Sequence, residues 1–270
     1  MRITPHSTIQ RALILFTSHP DKEAERKQVG ATVEDTRQIY RALISDILRK
    51  IDSAQQECNF DLIIASDAAD LPNLRQANAI LPRPIEFQFI EHQHHTFQDK
   101  FNRALQTAFS QDYEQVVIIG NDTPDLTPEM LENAFRQLHT HQAVVGPAPD
   151  GGFYLLGLCR FQPELFNGIR WCSGQVLTQL LKNLRYQNIS HTLLIPLADI
   201  DSHAELMTWI YQQTGDIPLL YLLLSALLRH CPPCFDYTHP FLTQRHRTRR
   251  IWQKPPPRKE IRVSGFWAIR

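Results

Sequence analysis

The chain has 270 residues, 43% of them hydrophobic and 21% charged, which suits a soluble globular protein with one large α/β domain or two small ones. The formal net charge is zero, yet ten Lys/Arg stand against two Asp/Glu from Arg229 onward, so an acidic body precedes a basic tail and a nucleic-acid-binding body is not expected. Five irregularly spaced cysteines argue against a disulfide framework. With no apolar segment near the N-terminus and no run long enough to span a bilayer, a cytoplasmic protein without a transmembrane segment is expected.

Short apolar runs alternate with helical patterns over the first two hundred residues. Strands are expected at Arg11–Thr17, Asp61–Ser66, Ile85–Ile90 and Gln115–Gly120. Between the first two, Ile39, Leu43, Ile44, Ile47, Leu48 and Ile51 repeat with helical period. Another helix is expected over about 97–109. Thr127 and Pro128 open the next, as N-cap and first helical residue. Ala143–Gly146, Phe153–Leu158 and Thr192–Pro196 read as further strands, with a helix over about 173–185 between the last two. Ser202 and Glu205 have capping-box spacing for a final helix.

This alternation predicts an α/β fold with a mostly parallel central sheet and helices on both faces. Ligands of such folds bind beyond the carboxyl ends of the strands. Residues 1–214 are expected to form that domain. Residues 215–270 form a C-terminal appendage: an apolar segment, Cys231-Pro232-Pro233-Cys234, and an Arg- and Pro-rich tail that could contact a protein partner.

Three segments carry candidate chemistry. Gly120-Asn121-Asp122-Thr123-Pro124-Asp125 follows the most apolar strand, where two carboxylates can hold a hard divalent cation and leave positions open for phosphate. The competing reading makes Asp122 and Asp125 plain turn residues. In Asp150-Gly151-Gly152-Phe153-Tyr154 the glycines allow close backbone approach, and Asp150 could bind an alcohol or act as a base; a hairpin turn explains the same residues. Asp199-Ile200-Asp201 follows the last strand. In an extended segment at most one of its acids faces a metal, and Asp201 is the better candidate, or else it or Ser202 caps the helix. His92, His94 and His95 read as a surface loop. Cys231 and Cys234 with nearby histidines make at most half a zinc site.

Together, Ile119-Gly120-x-Asp122-x-Pro124-Asp125-Leu126-Thr127, Gly146-Pro147-Ala148-x-Asp150-Gly151-Gly152-Phe153-Tyr154 and Asp199-Ile200-Asp201 resemble a bacterial glycosyltransferase-like domain of unknown function. That family is associated with radical-SAM and selenium-domain proteins and belongs to the GT-A nucleotide-diphospho-sugar transferase superfamily. Lys100–Phe109 and Leu165–Ser173 share the resemblance, which spans roughly residues 11–210.

The resemblance implies a GT-A-like three-layer sandwich and a metal-dependent transferase using a nucleotide-activated donor, with a nucleotide sugar the expected one. Asp122 and Asp201 would bind Mg²⁺ or Mn²⁺. Asp150 and Asp122 would act in catalysis. Asp125, Gly151, Gly152, Tyr154, Trp171 and Ser173 would contact substrate. The alternatives are a nucleotidyltransferase that releases pyrophosphate from an NTP, and a non-catalytic descendant that binds a ligand or partner. The family's Lys-Thr-Arg-Leu run after the first strand is absent. Lys22, Arg26 or Lys27 could substitute, but Glu23 and Glu25 among them make the stretch read as a solvated charged loop.

Overall fold

The computed structural model of the chain describes residues 10–92, 96–213, 219–220 and 223–224. Seven strands form one sheet in the order β3-β2-β1-β4-β6-β5-β7. They are β1 (Arg11–Phe16), β2 (Asp61–Ser66), β3 (Phe87–Glu91), β4 (Gln115–Ile119), β5 (Ala143–Pro147), β6 (Phe153–Leu158) and β7 (His191–Leu193). The expected strands are all present, with ends shifted by a few residues. Neighbours pair in parallel except β6, which runs antiparallel to both β4 and β5. β5 and β6 are therefore a hairpin, as the Asp-Gly turn allows.

The side-chain alternation of each strand builds two cores. In β1, Leu13 and Leu15 point to a layer made by α2 (Val33–Glu57), α3 (Leu71–Ala79) and α5 (Pro128–Gln137). Ala12 and Ile14 point to the opposite layer, made by α4 (Phe97–Phe109) and α6 (Val176–Tyr186). The α/β three-layer sandwich is the architecture expected. The helical stripe at 39–51 lies on α2, whose inward residues are nearly all fully buried.

A third cluster joins the start of α2 to α7 (His203–Gln212) through Ile39, Tyr40, Leu43, Ile200, Leu206 and Trp209, and it includes Leu219 and Leu223. Thr127, Thr96 and Ser202 cap α5, α4 and α7 with their side chains. The described residues form one compact unit; the Cys231–Cys234 pair, the Arg-rich tail and His94 and His95 lie outside them.

The stretch after β1 departs from expectation. It is a short helix, α1 (Pro20–Arg26), capped by His19 and opened by Pro20. Glu23 is buried, and the Lys27 side chain is only 15% exposed. Neither belongs to a solvated loop. His92 likewise leaves the surface: its ring packs on Phe16 at 4.7 Å and its Nε2 donates to the Thr17 carbonyl at 3.0 Å.

Candidate functional site

The carboxyl ends of β1 and β4, helix α1, the β5–β6 loop and the segments 171–174 and 199–201 enclose a cavity of about 590 Å³. A small-molecule site typically has this size and this position on an α/β sheet. One wall is aromatic, with Phe16, Phe97, Phe101, Phe153 and Trp171. Trp171 lies 5.0 Å from Phe97 and 5.1 Å from Phe101 between ring centroids, and its Nε1 donates to Gln98. The other wall is charged, with Glu23, Arg26, Lys27 and Lys100 beside Asp122, Asp150, Asp199 and Asp201.

Asp122 sits where β4 ends. A Cβ on Gly120 would lie 2.9 Å from Asp122 Oδ1, so the missing side chain makes room for that carboxylate. The loop is pinned from behind by Lys50 Nζ, which donates to the Pro124 carbonyl at 2.6 Å. Asn121 lines the cavity too. Its Oδ1 accepts from Thr17 Oγ1, while its buried Nδ2 has no hydrogen-bond partner.

Asp201 reaches the same point from far along the chain. The Ile200 N–H donates to the Asp122 carbonyl at 2.8 Å, tying the two segments together through the backbone. Ser202 takes the N-cap role on α7, and the Asp201 N–H is held by Glu205, so the Asp201 carboxylate faces the cavity. Asp199 lines it as well. The expectation that only one of the two acids could do so assumed a pleated strand; residues 197–201 lie outside the sheet ladder, so the alternation does not apply. Burial, and then repulsion from Asp122, Asp201 and Asp150, push the Asp199 carboxyl up to about 7.

Lys27 organises this cluster. Its ammonium pairs with Asp122 Oδ2 at 3.1 Å, with Asp201 Oδ1, and with Glu23 at 3.7 Å. Burial opposes its charge, but Asp122 foremost, with Tyr40, Asp201 and Glu23, holds the ammonium protonated well above the usual lysine range. Both oxygens of Glu23 also accept from Arg26 at 2.9 Å. Helix α1 and its C-cap thus supply two cavity cations, Arg26 and Lys27, where the local sequence suggests a solvated loop. Arg26 is held locally by Glu23, whereas Lys27 is placed by partners 95 and 174 positions away.

The glycine loop is built tightly. Gly152 N–H donates to Asp150 Oδ1 at 2.8 Å, fixing the carboxylate at the rim. Gly151 has φ +90°, and a Cβ there would fall 2.2 Å from the Gly174 carbonyl oxygen. Gly151 does not line the cavity; it lets the Asp150 loop touch the 171–174 segment. Tyr154 lines the cavity, with its hydroxyl donating to the Ile195 carbonyl at 3.0 Å. Ser173 lines it with its hydroxyl on the Arg170 carbonyl. Asp125 lies apart: it is exposed, outside the cavity wall, and accepts from Trp209 Nε1 at 2.7 Å.

A divalent cation fits the donor set in chemistry. Two hard carboxylates converge on one cation, here the Lys27 ammonium, and Mg²⁺ commonly takes only one or two protein carboxylates beside phosphate and water. Among the described residues no group of three or more His, Cys, Asp or Glu could hold a metal ion, so an ion on this pair would take its remaining ligands from phosphate and water.

Residues 50–173 match the model of a family described as an uncharacterized protein conserved in bacteria (DUF2064). No protein of curated function matches the chain. Among solved structures, a protein from Desulfovibrio desulfuricans G20 provisionally described as a nucleotide-diphospho-sugar transferase is 26% identical with a TM-score of 0.67, covering 82% of this chain and 98% of that one. More distant likenesses are the mannosyltransferase PcManGT of Pyrobaculum calidifontis (14% identity, TM-score 0.47, 82% of this chain and 70% of that one) and a 4-diphosphocytidyl-2C-methyl-D-erythritol synthase of Anaerococcus prevotii DSM 20548 (10%, 0.46, 74% and 94%). The family match spans all of the Asp122 and Asp150 segments, and the Desulfovibrio protein shares the fold over nearly its whole length.

Proposed function

We propose that the protein is a transferase that takes its donor as a nucleoside diphosphate derivative, a nucleotide sugar, in the cavity between α1 and Asp122. The observation that carries this reading is the convergence of Asp122, Asp150 and Asp201 with Arg26, Lys27 and Lys100 in one cavity at the carboxyl ends of the strands. The likeness to the Desulfovibrio protein supports it.

In this reading the cations of α1 and α4 offset the charge of a diphosphate, and the aromatic wall receives an apolar face of the base, sugar or acceptor. Asp122 and Asp201 would hold Mg²⁺ or Mn²⁺, which would neutralise charge on the departing nucleotide. Asp150, fixed by Gly152, orients or deprotonates the acceptor hydroxyl. Asp199, which lines the same cavity, joins it as a second candidate base. Tyr154, Trp171 and Ser173 shape the substrate pocket. Gly151 supports it from outside the wall through its contact with Gly174, and Asp125 anchors Trp209 instead of touching substrate.

The test is calorimetric titration with a panel of nucleotide sugars and NTPs in the presence of Mn²⁺, followed by product analysis. Binding by the wild type, lost in Asp122→Ala, with release of a nucleoside diphosphate is the expected result. No binding across the panel, or equal binding by Asp122→Ala, rejects the reading. Release of pyrophosphate from an NTP would replace sugar transfer by nucleotidyl transfer.

A further inference from the structure

We propose that Lys27 is a tethered occupant of the cation position between Asp122 and Asp201, and that it sets how weakly the free protein binds a divalent ion. The ammonium bridges the two carboxylates through one oxygen of each, Asp122 Oδ2 and Asp201 Oδ1, and so fills the gap into which both point. A divalent ion bridging the same pair, about 2.0–2.1 Å from its oxygens, would meet a second positive charge in that gap.

Lys27 is also held in place rather than merely reaching in. Its backbone N–H caps α1 by donating to the Glu23 carbonyl at 2.8 Å. Its side chain is 15% exposed, passes the Tyr40 ring at 5.9 Å and has Glu23 as a third carboxylate at 3.7 Å. Asp122 is itself only 23% exposed, so solvent screens the pair weakly. The charge count favours a coupled exchange. Asp122, Asp201 and Glu23 carry three negative charges, one of them already met by Arg26; Lys27 and a divalent ion would bring three positive ones to the two that remain. The ion therefore enters readily only when Lys27 leaves or when added negative charge arrives. The diphosphate of a donor would supply that charge, a consequence that rests on the function proposed above, whereas the occupancy by Lys27 does not.

The experiment uses Mn²⁺ alone, without nucleotide, and follows free Mn²⁺ by electron paramagnetic resonance in the wild type, Lys27→Met, Lys27→Gln and Lys22→Met. Lys22 pairs with Asp67 outside the cavity at 2.6 Å and controls for the loss of one positive charge. Melting curves confirm that each variant is folded, and Lys27→Gln serves if the Met variant is not. The Lys27 variant should bind Mn²⁺ at least about ten-fold more tightly than wild type and Lys22→Met, and adding Asp122→Asn to it should abolish the gain. Equal Mn²⁺ affinity in the wild type and the Lys27 variant, an equal gain in Lys22→Met, or a gain that survives Asp122→Asn would each overturn the proposal. None of these readouts depends on finding the donor.

Discussion

Replacing Gly151 by Ala isolates how the Asp150 loop is held. The added methyl group meets two separate costs. At φ +90° an L side chain is strained by about 1–2 kcal/mol. The methyl carbon would also stand 2.2 Å from the Gly174 oxygen, a backbone atom that no rotamer change can move. Relieving that overlap parts the loop from the 171–174 segment and strains the hydrogen bond from the Leu177 N–H to the Gly151 carbonyl, 2.8 Å long. Overpacking of this kind costs about 1–3 kcal/mol, so the total is about 2–5 kcal/mol. In a domain of this size that lowers Tm by roughly 2–4 °C per kcal/mol. Gly168→Ala is the matched control: its φ is +72°, but a Cβ there meets nothing within 4 Å, so only the conformational cost of about 1–2 kcal/mol remains. Calorimetric melting of both variants gives the comparison. Equal losses in the two would refute the idea that the loop depends on its contact with Gly174.

Trp209→Phe removes the donor to Asp125 and should cost about 1–3 kcal/mol in denaturant unfolding, while donor affinity stays within about two-fold because Asp125 is outside the cavity. Asp199 gives a pH signature. Its folded-state carboxyl is raised from 3.8 to about 7, so the stability it contributes is fully present below about pH 4 and is lost as pH rises through 7. Asp199→Asn should therefore match wild type at pH 4 and, measured in EDTA, exceed it at pH 8 by about 1–2 kcal/mol after allowance for part exposure. His92 has the opposite sign. Burial, its largest cause, pushes the ring down to about 4, so its contribution is present above pH 6.5 and falls away as pH drops through 4. His92→Phe, titrated by thermal melting over pH 7 to 4, should flatten that decline.

The layers were legible because their signals are local. The α2 stripe from Ile39 to Ile51, the apolar β4 and the Thr127-Pro128 helix start each lie within one segment, and the structure carries all three. The antiparallel insertion of β6 between β4 and β5 was not read, since Asp150-Gly151-Gly152 marks a turn but says nothing of which strand lies on the far side. The site divides in the same way. Asp122, Asp150 and Asp201 stand out at strand ends, and the fold brings them into one cavity. Lys27 was hidden among Lys22, Glu23, Glu25 and Arg26, a run that reads as solvated. Its burial comes from partners 95 and 174 residues away, which no local pattern contains. Asp199 escapes the pleated-strand alternation, because its segment lies outside the sheet.

The most direct measurement is a diffraction experiment on crystals soaked with Mn²⁺ and the nucleotide sugar that binds best in titration. The account predicts an anomalous Mn²⁺ peak between the Asp122 and Asp201 carboxylates, with the donor diphosphate beside it and the Lys27 ammonium withdrawn from the pair onto phosphate oxygen. A donor bound away from Asp122, or a cavity that stays empty at saturating donor, would contradict it.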